Sequence, residues 1–196
     1  LATEASFEAV VLAAGSGTRF GGAKLLAAWR GGVLLEGALA AAFAAPVRGV
    51  TVVTGADADA VARVARAFNP AVRLVHAADF AEGMGASLRT AVSSLPPDTD
   101  GVFIFLGDMP RVPTVILGQM AQALVAGAEA AAPIFENRRG NPVLLARTLF
   151  PQLNTLAGDT GARDILKAMA QRLALIESPD DGVLFDVDEP RDLPQA

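Results

Sequence analysis

Apolar residues along the chain fall into short runs separated by glycine, proline and charged clusters, and that spacing predicts alternating strands and helices. Glu8 to Ala14 is a β-rich run that opens into a loop carrying Gly15, Gly17, Gly21 and Gly22. Leu34 to Ala45 reads as an alanine- and leucine-rich helix stopped by Pro46. Val47 to Thr54 is dense in β-branched residues and suits a buried parallel strand, followed by a helix from Asp57 to Phe68 with Asp57 as its cap.

The second half repeats the pattern. Val72 to His76 reads as a strand, Gly83 to Gly85 as a loop and Ala86 to Leu95 as a helix. Val102 to Leu106 is a buried strand running into Gly107-Asp108-Met109-Pro110, and Pro113 suits the first turn of a helix that reaches about Ala126. Ala130 to Phe135 and Pro142 to Ala146 read as strands joined by the polar connection Glu136 to Asn141, a hairpin-like excursion. Thr155 to Gly161 is a loop, Ala162 to Arg172 an amphipathic helix, and Leu173 to Glu177 and Val183 to Val187 are the last strands. With short connections and no repeat, this is an α/β pattern, a parallel or mixed central sheet with helices on both faces, in a single domain over residues 1–196. Ligands of such sheets bind at the carboxyl ends of the strands, where the glycine loop, Asp108 and the turn at Asp188 fall.

Composition narrows the chemistry. The chain has no cysteine and one histidine, His76, so disulfides, thiolate nucleophiles and histidine or cysteine metal clusters are excluded, and any metal sits on oxygen ligands. A net charge of -5 argues against nucleic acid as a partner. No apolar run is long enough for a membrane span, and the N-terminal residues lack the positive flank of a signal peptide, so a soluble cytoplasmic protein is expected.

Against that acidic background, no acidic residue occurs between Glu8 and Glu36, while Arg19 and Lys24 lie in the glycine loop. A local positive field of this kind suits a polyphosphate. The loop is neither a dinucleotide fingerprint, having Phe20 where the third glycine belongs, nor a Walker loop, since it reads Gly22-Ala23-Lys24-Leu25. An ordinary strand-to-helix turn is the competing reading. Asp108, at the end of an apolar strand, either caps the turn before Pro110 or meets the phosphates through a cation, for which magnesium is the natural bridge. Asp186 and Asp188, two apart on a strand, share a face and either complete that oxygen site or lie on a solvated edge. His76, Trp29 and the methionines are read as packing residues.

Six stretches, LAAGSGTRFGGAKLL, GMGASL, LGDMP, RRGNPVLL, GDTGAR and DVDEPRDL, occur in the order and spacing of the molybdenum cofactor cytidylyltransferase family, which the chain resembles over residues 8–194. The resemblance implies a three-layer, mostly parallel α/β fold like that of nucleotide-diphospho-sugar transferases. It implies transfer of CMP from CTP to the terminal phosphate of the molybdenum-molybdopterin cofactor, with magnesium, or manganese, as cofactor. Leu12, Ala13, Ala14, Gly15 and Gly17 would wrap the nucleotide, Arg19 and Lys24 the triphosphate, and Gly83, Gly85 and Ser87 the base and ribose. Asp108 and Asp188 would hold the metal, with Asp186 a further candidate, and Arg19, Lys24 and Asp108 would be the catalytic set. Arg139, Asn141 and Arg163 would face the acceptor, and a molybdenum hydroxylase apoenzyme or its chaperone would be the recipient. Asn141 stands where the family commonly has histidine, and Gly32-Val33 replaces a more usual Lys-Pro. A guanylyltransferase, a transferase using another phosphate acceptor and a non-catalytic cofactor-delivery protein are the alternatives.

Overall fold

The computed structural model describes residues 5–158, 161–169 and 172–193. In chain order the elements are β1 (Phe7–Ala13), a short hairpin of β2 (Ala28–Trp29) and β3 (Gly32–Val33), α1 (Leu34–Ala44), β4 (Val50–Thr54), α2 (Ala58–Phe68), β5 (Arg73–His76) and α3 (Met84–Ser93). They continue with β6 (Gly101–Leu106), α4 (Val115–Val125), β7 (Ala130–Phe135), β8 (Arg138–Arg139), β9 (Val143–Ala146), α5 (Phe150–Leu153), α6 (Arg163–Ala168) and β10 (Leu173–Glu177).

The main sheet runs β10-β7-β9-β6-β1-β4-β5, with β8 paired to β7. β1 is parallel to both β4 and β6, β4 to β5, and β7 to β10, whereas β9 runs antiparallel to β6 and β7. Alternate residues of β1 feed the two faces. Ala9, Val11 and Ala13 join a core with α1 and α4, and Val10 joins a second core with α3, α5 and α6. Three layers result, as the alternating pattern predicts. No helix among the described residues is long and apolar enough to cross a membrane.

Small residues decide how closely the layers approach the site. α1 buries Leu34, Leu35, Ala38, Leu39, Ala41 and Ala42, and a Cβ at Gly37 would lie 2.5 Å from the Pro110 side chain. The glycine therefore lets the loop after β6 rest directly on the helix. Between β7 and β8, Glu136 and Asn137 both take left-handed φ, 47° and 61°, the geometry of a tight two-residue hairpin. The chain then turns through a cis Asn141-Pro142 peptide into β9.

Several expected boundaries shift. Asp57 stands at the start of α2 but makes no side-chain cap; its carbonyl accepts from the Val61 amide at 2.9 Å instead. Pro113 precedes α4, which starts at Val115. α6 covers Arg163–Ala168, shorter than the 162–172 expected, and residues 170–171 lie outside the described residues.

The expected strand from Val183 to Val187 is absent: residues 181–183 form a 3-10 turn that ends on Leu184 with helical dihedrals, and residues 185–187 carry no regular structure. Its hydrogen bonds go to loops and not to a strand. Asn141 N–H donates to Val183 O at 2.9 Å, and Val187 N–H donates to Asp108 O at 3.1 Å. The alternating pattern is satisfied by burial alone, with Val183 and Val187 inaccessible and Asp186 and Asp188 on the outer side, the Asp186 carboxyl partly covered. Periodicity reports which side chains are buried, and a strap laid over loop ends buries them as well as a ladder does.

Candidate active site

β1 and β6 are register partners up to Leu12 and Leu106, so the loops that follow them leave the sheet side by side. Gly107 N–H donates to Leu12 O at 3.0 Å and holds the two exits together. After β1 the chain winds through two 3-10 turns, Thr18–Phe20 and Lys24–Leu26. Gly17, Gly21 and Gly22 adopt left-handed φ of 59°, 94° and 100°, which glycine takes without a Cβ penalty. Ala23 does so at 46° with a Cβ, and this non-glycine left-handed residue immediately precedes Lys24.

These loops enclose a cavity of about 580 Å³, a size suited to a nucleotide. Leu12, Ala13, Ala14, Gly15, Ser16, Gly17, Lys24 and Asp108 line one side, and Phe80, Ala81, Gly83, Met84 and Ser87 the other. Gly15 needs no glycine for packing, since an added Cβ would meet nothing within 4 Å, so its bare backbone faces open space. Gly83, at φ 111° and ψ -176°, is the entry to α3, whose first turn carries no acidic residue and points its positive dipole end at the cavity.

Charge concentrates at one end of this cavity. Lys24 Nζ lies 2.7 Å from Asp108 Oδ2 and 3.7 Å from Asp188 Oδ1, with the lysine and Asp108 side chains 14% and 24% exposed. Arg19 Nη1 reaches Asp188 Oδ2 at 3.8 Å from a far more exposed position. Partial burial, and then the neighbouring Asp188 and Asp108, push the Asp186 carboxyl above its ordinary pKa. The backbone of Asp188 is fixed by Asp192, whose carboxylate accepts the Asp188 and Glu189 N–H groups at 3.0 and 2.8 Å.

A second cavity of about 690 Å³ adjoins the first, sharing Leu12, Met84 and Leu106 with it. Leu88, Ile104, Val143 and Leu166 floor it, and Arg139, Asn141 and Lys167 supply its polar lining.

The sequence-predicted residues among those described line the two cavities, except Gly85, Arg19, Asp188, which stands 3.7 Å from the Lys24 ammonium, and the further candidate Asp186. Gly85 does not line either cavity; its N–H donates to Gly158 O at 2.9 Å, and a Cβ there would lie 3.0 to 3.1 Å from backbone atoms of residues 156–158. Its glycine serves a close backbone approach. Arg19 stands at the rim without lining the cavity. The Arg163 side chain and residues 159–160 of the GDTGAR stretch lie outside the described residues. The segment Gly83 to Gly85 is the start of α3 and not a free loop. Sequence reading missed Ser16, Leu25, Phe80, Ala81, Met84 and Leu106 as lining residues; Ser16, Leu25, Met84 and Leu106 fall inside the stretches that carry the resemblance, whereas Phe80 and Ala81 fall outside all of them.

No group of three or more His, Cys, Asp or Glu residues among those described is arranged to hold a metal. Asp108 and Asp188 nevertheless reach a common cation, the Lys24 ammonium. Two hard carboxylates facing one positive charge suit a divalent ion that takes its remaining ligands from phosphate and water.

A glycine-rich loop after β1, a nucleotide-sized cavity and paired cation and carboxylate groups at the carboxyl ends of β1 and β6 define a nucleotide-handling α/β protein. The chain belongs to the MobA-like NTP transferase family, whose domain model matches residues 9–173. It is 32% identical over 187 residues to nicotine blue oxidoreductase of Paenarthrobacter nicotinovorans, covering 91% of this chain and 90% of that one. It is 25% identical over 188 residues to molybdenum cofactor cytidylyltransferase of Escherichia coli strain K12, covering 95% and 93%. Among solved structures it is similar to Rv0371c from Mycobacterium tuberculosis H37Rv, with a TM-score of 0.84, 27% identity and coverage of 97% and 96%. A structure of Rv0371c in complex with manganese matches with a TM-score of 0.76 and 25% identity over 88% of each chain.

Proposed function

We propose that this nucleotidyltransferase moves CMP from CTP to the terminal phosphate of molybdenum-molybdopterin, releasing pyrophosphate. The observation that carries the reading is Lys24, held 2.7 Å from Asp108 at the end of a cavity walled by the bare backbone of the Gly15 loop. The similarity to the Escherichia coli cytidylyltransferase supports the choice of CTP and of the acceptor.

In this reading the glycine loop binds the nucleotide through backbone N–H groups, the positive end of the α3 dipole faces it from the other side, and Ser87 adds a hydroxyl. Lys24 leaves its ion pair with Asp108 for the α-phosphate, and Arg19 folds inward onto the outer phosphates. Asp108 and Asp188 would hold a magnesium or manganese ion, which supplies charge neutralisation on the phosphates when bound. An acceptor phosphate oxygen forms the new bond to the α-phosphorus as the bond to the β-phosphate oxygen breaks, and pyrophosphate carries away the electron pair. The acceptor is a phosphate monoester, already anionic near neutral pH, so no general base is required, in keeping with a site without histidine or cysteine. Arg139 and Asn141, lining the adjoining cavity, would orient that acceptor.

A second reading, an oxidoreductase, is favoured by the 32% identity to nicotine blue oxidoreductase. One set of assays separates the two and the remaining alternatives. Pyrophosphate release is measured from CTP and from GTP, with and without molybdopterin, in magnesium or manganese, alongside loss of reduced-nicotinamide absorbance. Release that depends on both CTP and molybdopterin supports the proposal. Release from GTP alone, or with another phosphate acceptor, replaces it with a sister transferase. CTP binding without release points to delivery, and nicotinamide oxidation to the oxidoreductase.

A further inference from the structure

The two cavities are separated by a threshold made of three shared side chains, Leu12, Leu106 and Met84. The leucines are register partners on β1 and β6 and are fixed in the sheet. Met84 comes from the opposite side, at the first position of α3, and is 41% exposed. The other methionines, Met109, Met120 and Met169, are buried to 3% or less, so Met84 is the one not consumed by packing. Its sulfur lies where Gly161 allows it: a Cβ at Gly161 would stand 2.9 Å from Met84 Sδ. The backbone at Gly161, on the far side of the threshold, thus lies directly against the thioether.

We propose that Met84 sets the aperture between the nucleotide cavity and the acceptor cavity, and so determines which acceptors reach the α-phosphate; the inference rests on the transferase reading above. Any group crossing from one cavity to the other passes between a rigid leucine pair and this single side chain. An unbranched thioether with several rotatable bonds can shift to admit an acceptor and close again without disturbing the backbone. Gly83 and Gly161 act as positioning residues for it: Gly83, at φ 111°, sets the direction in which α3 starts, and Gly161 leaves the space the sulfur fills.

Two measurements on the full chain test this. Because the chain contains four methionines, methyl-labelled methionine gives a spectrum in which the Met84 resonance is assigned by its loss in a Met84→Leu variant. The Met84 methyl is expected to move when CTP and magnesium are added and to move again with molybdopterin, while Met120 and Met169 stay in place. Met84→Ala is expected to raise the KM for molybdopterin about tenfold, the scale of a missing apolar group in a specificity pocket. The rise in acceptor KM should exceed any change in the Kd for CTP, whose cavity Met84 also lines, and Met84→Leu, a volume-conserving swap, should restore the acceptor KM to within about threefold of the wild type. A Met84 methyl that responds to one ligand or to neither, or a CTP Kd that changes as much as the acceptor KM, overturns the inference. Wild-type protein that releases no pyrophosphate overturns the transferase reading instead. The methyl shifts then decide the threshold by themselves: response to both ligands upholds it, and response to one or neither overturns it.

Discussion

Replacing Asp108 by asparagine removes one charge from the Lys24 pair and keeps the shape of the side chain. At 2.7 Å and an effective dielectric constant near 20, the direct attraction is about 6 kcal/mol. Desolvation of two mostly covered groups offsets most of it, and Lys24 retains Asp188 at 3.7 Å. The net loss should fall between an exposed pair, under about 1 kcal/mol, and a fully buried one, at about 3 to 5, so roughly 2 kcal/mol. In a chain of 196 residues that corresponds to a fall in melting temperature of about 4 to 8 °C, leaving the protein folded at assay temperature. Turnover should fall far more steeply, by at least about a hundredfold or roughly 3 kcal/mol in the barrier, if the carboxylate holds the catalytic ion. A thermal melt and a pyrophosphate-release assay at saturating magnesium read the two effects separately. Near-normal turnover in the folded variant would refute the metal assignment. A melt lowered by the full buried-pair amount, with turnover per folded molecule unchanged, would make Asp108 a structural anchor only.

Other perturbations follow from the same geometry. Lys24→Ala should lower kcat more than it raises the KM for CTP, and an effect confined to KM would remove Lys24 from the reacting phosphate. Gly15→Ala should leave the denaturation midpoint unchanged, since its Cβ would meet nothing within 4 Å, while weakening CTP binding as measured by calorimetry. Gly83→Ala, at φ 111° and ψ -176°, should cost about 1 to 3 kcal/mol of stability in urea titration. The N–H groups of Glu189 and Asp188 hold the Asp192 carboxyl below its ordinary pKa, so its contribution to order is complete above the ordinary carboxylate range. It is lost as pH falls through the lowered value, and the amide shifts of Asp188 and Glu189 should move in that acid window and not near neutrality.

Those residues also mark where sequence reasoning succeeds. The sheet was legible because β1, β4 and β6 are short apolar runs between loops, and burial on both faces of a parallel sheet demands that composition. The glycine loop and Asp108 were legible because each directly follows such a strand. The strap at Val183 to Val187 was misread because alternation records burial, not hydrogen-bond partners. Gly85 was assigned to a ligand when a neighbouring backbone needed its space, a distinction that depends on residues 156–158 arriving from far along the chain. Phe80 and Ala81 had no signal at all, since a short 3-10 turn between β5 and α3 carries no periodicity to read. Met84 looked like core because methionine usually is; its exposure follows from the position of α3 against the sheet.

The hydrogen bond from Val187 to Asp108 joins a late segment to the loop after β6. In order of synthesis, β1, β4, β5 and β6 are all available once Leu106 has emerged, and they can pair with one another while the remainder is still being made. The Gly15 loop and Lys24 then exist beside Asp108 without Asp188. A nascent or truncated chain would accordingly expose Lys24 with half of its counter-charge, and if the site works as proposed it would attract free nucleotide while lacking the second carboxylate for the ion. On the proposed reading, ligand affinity would thus arise earlier in the life of the molecule than competence to use the ligand.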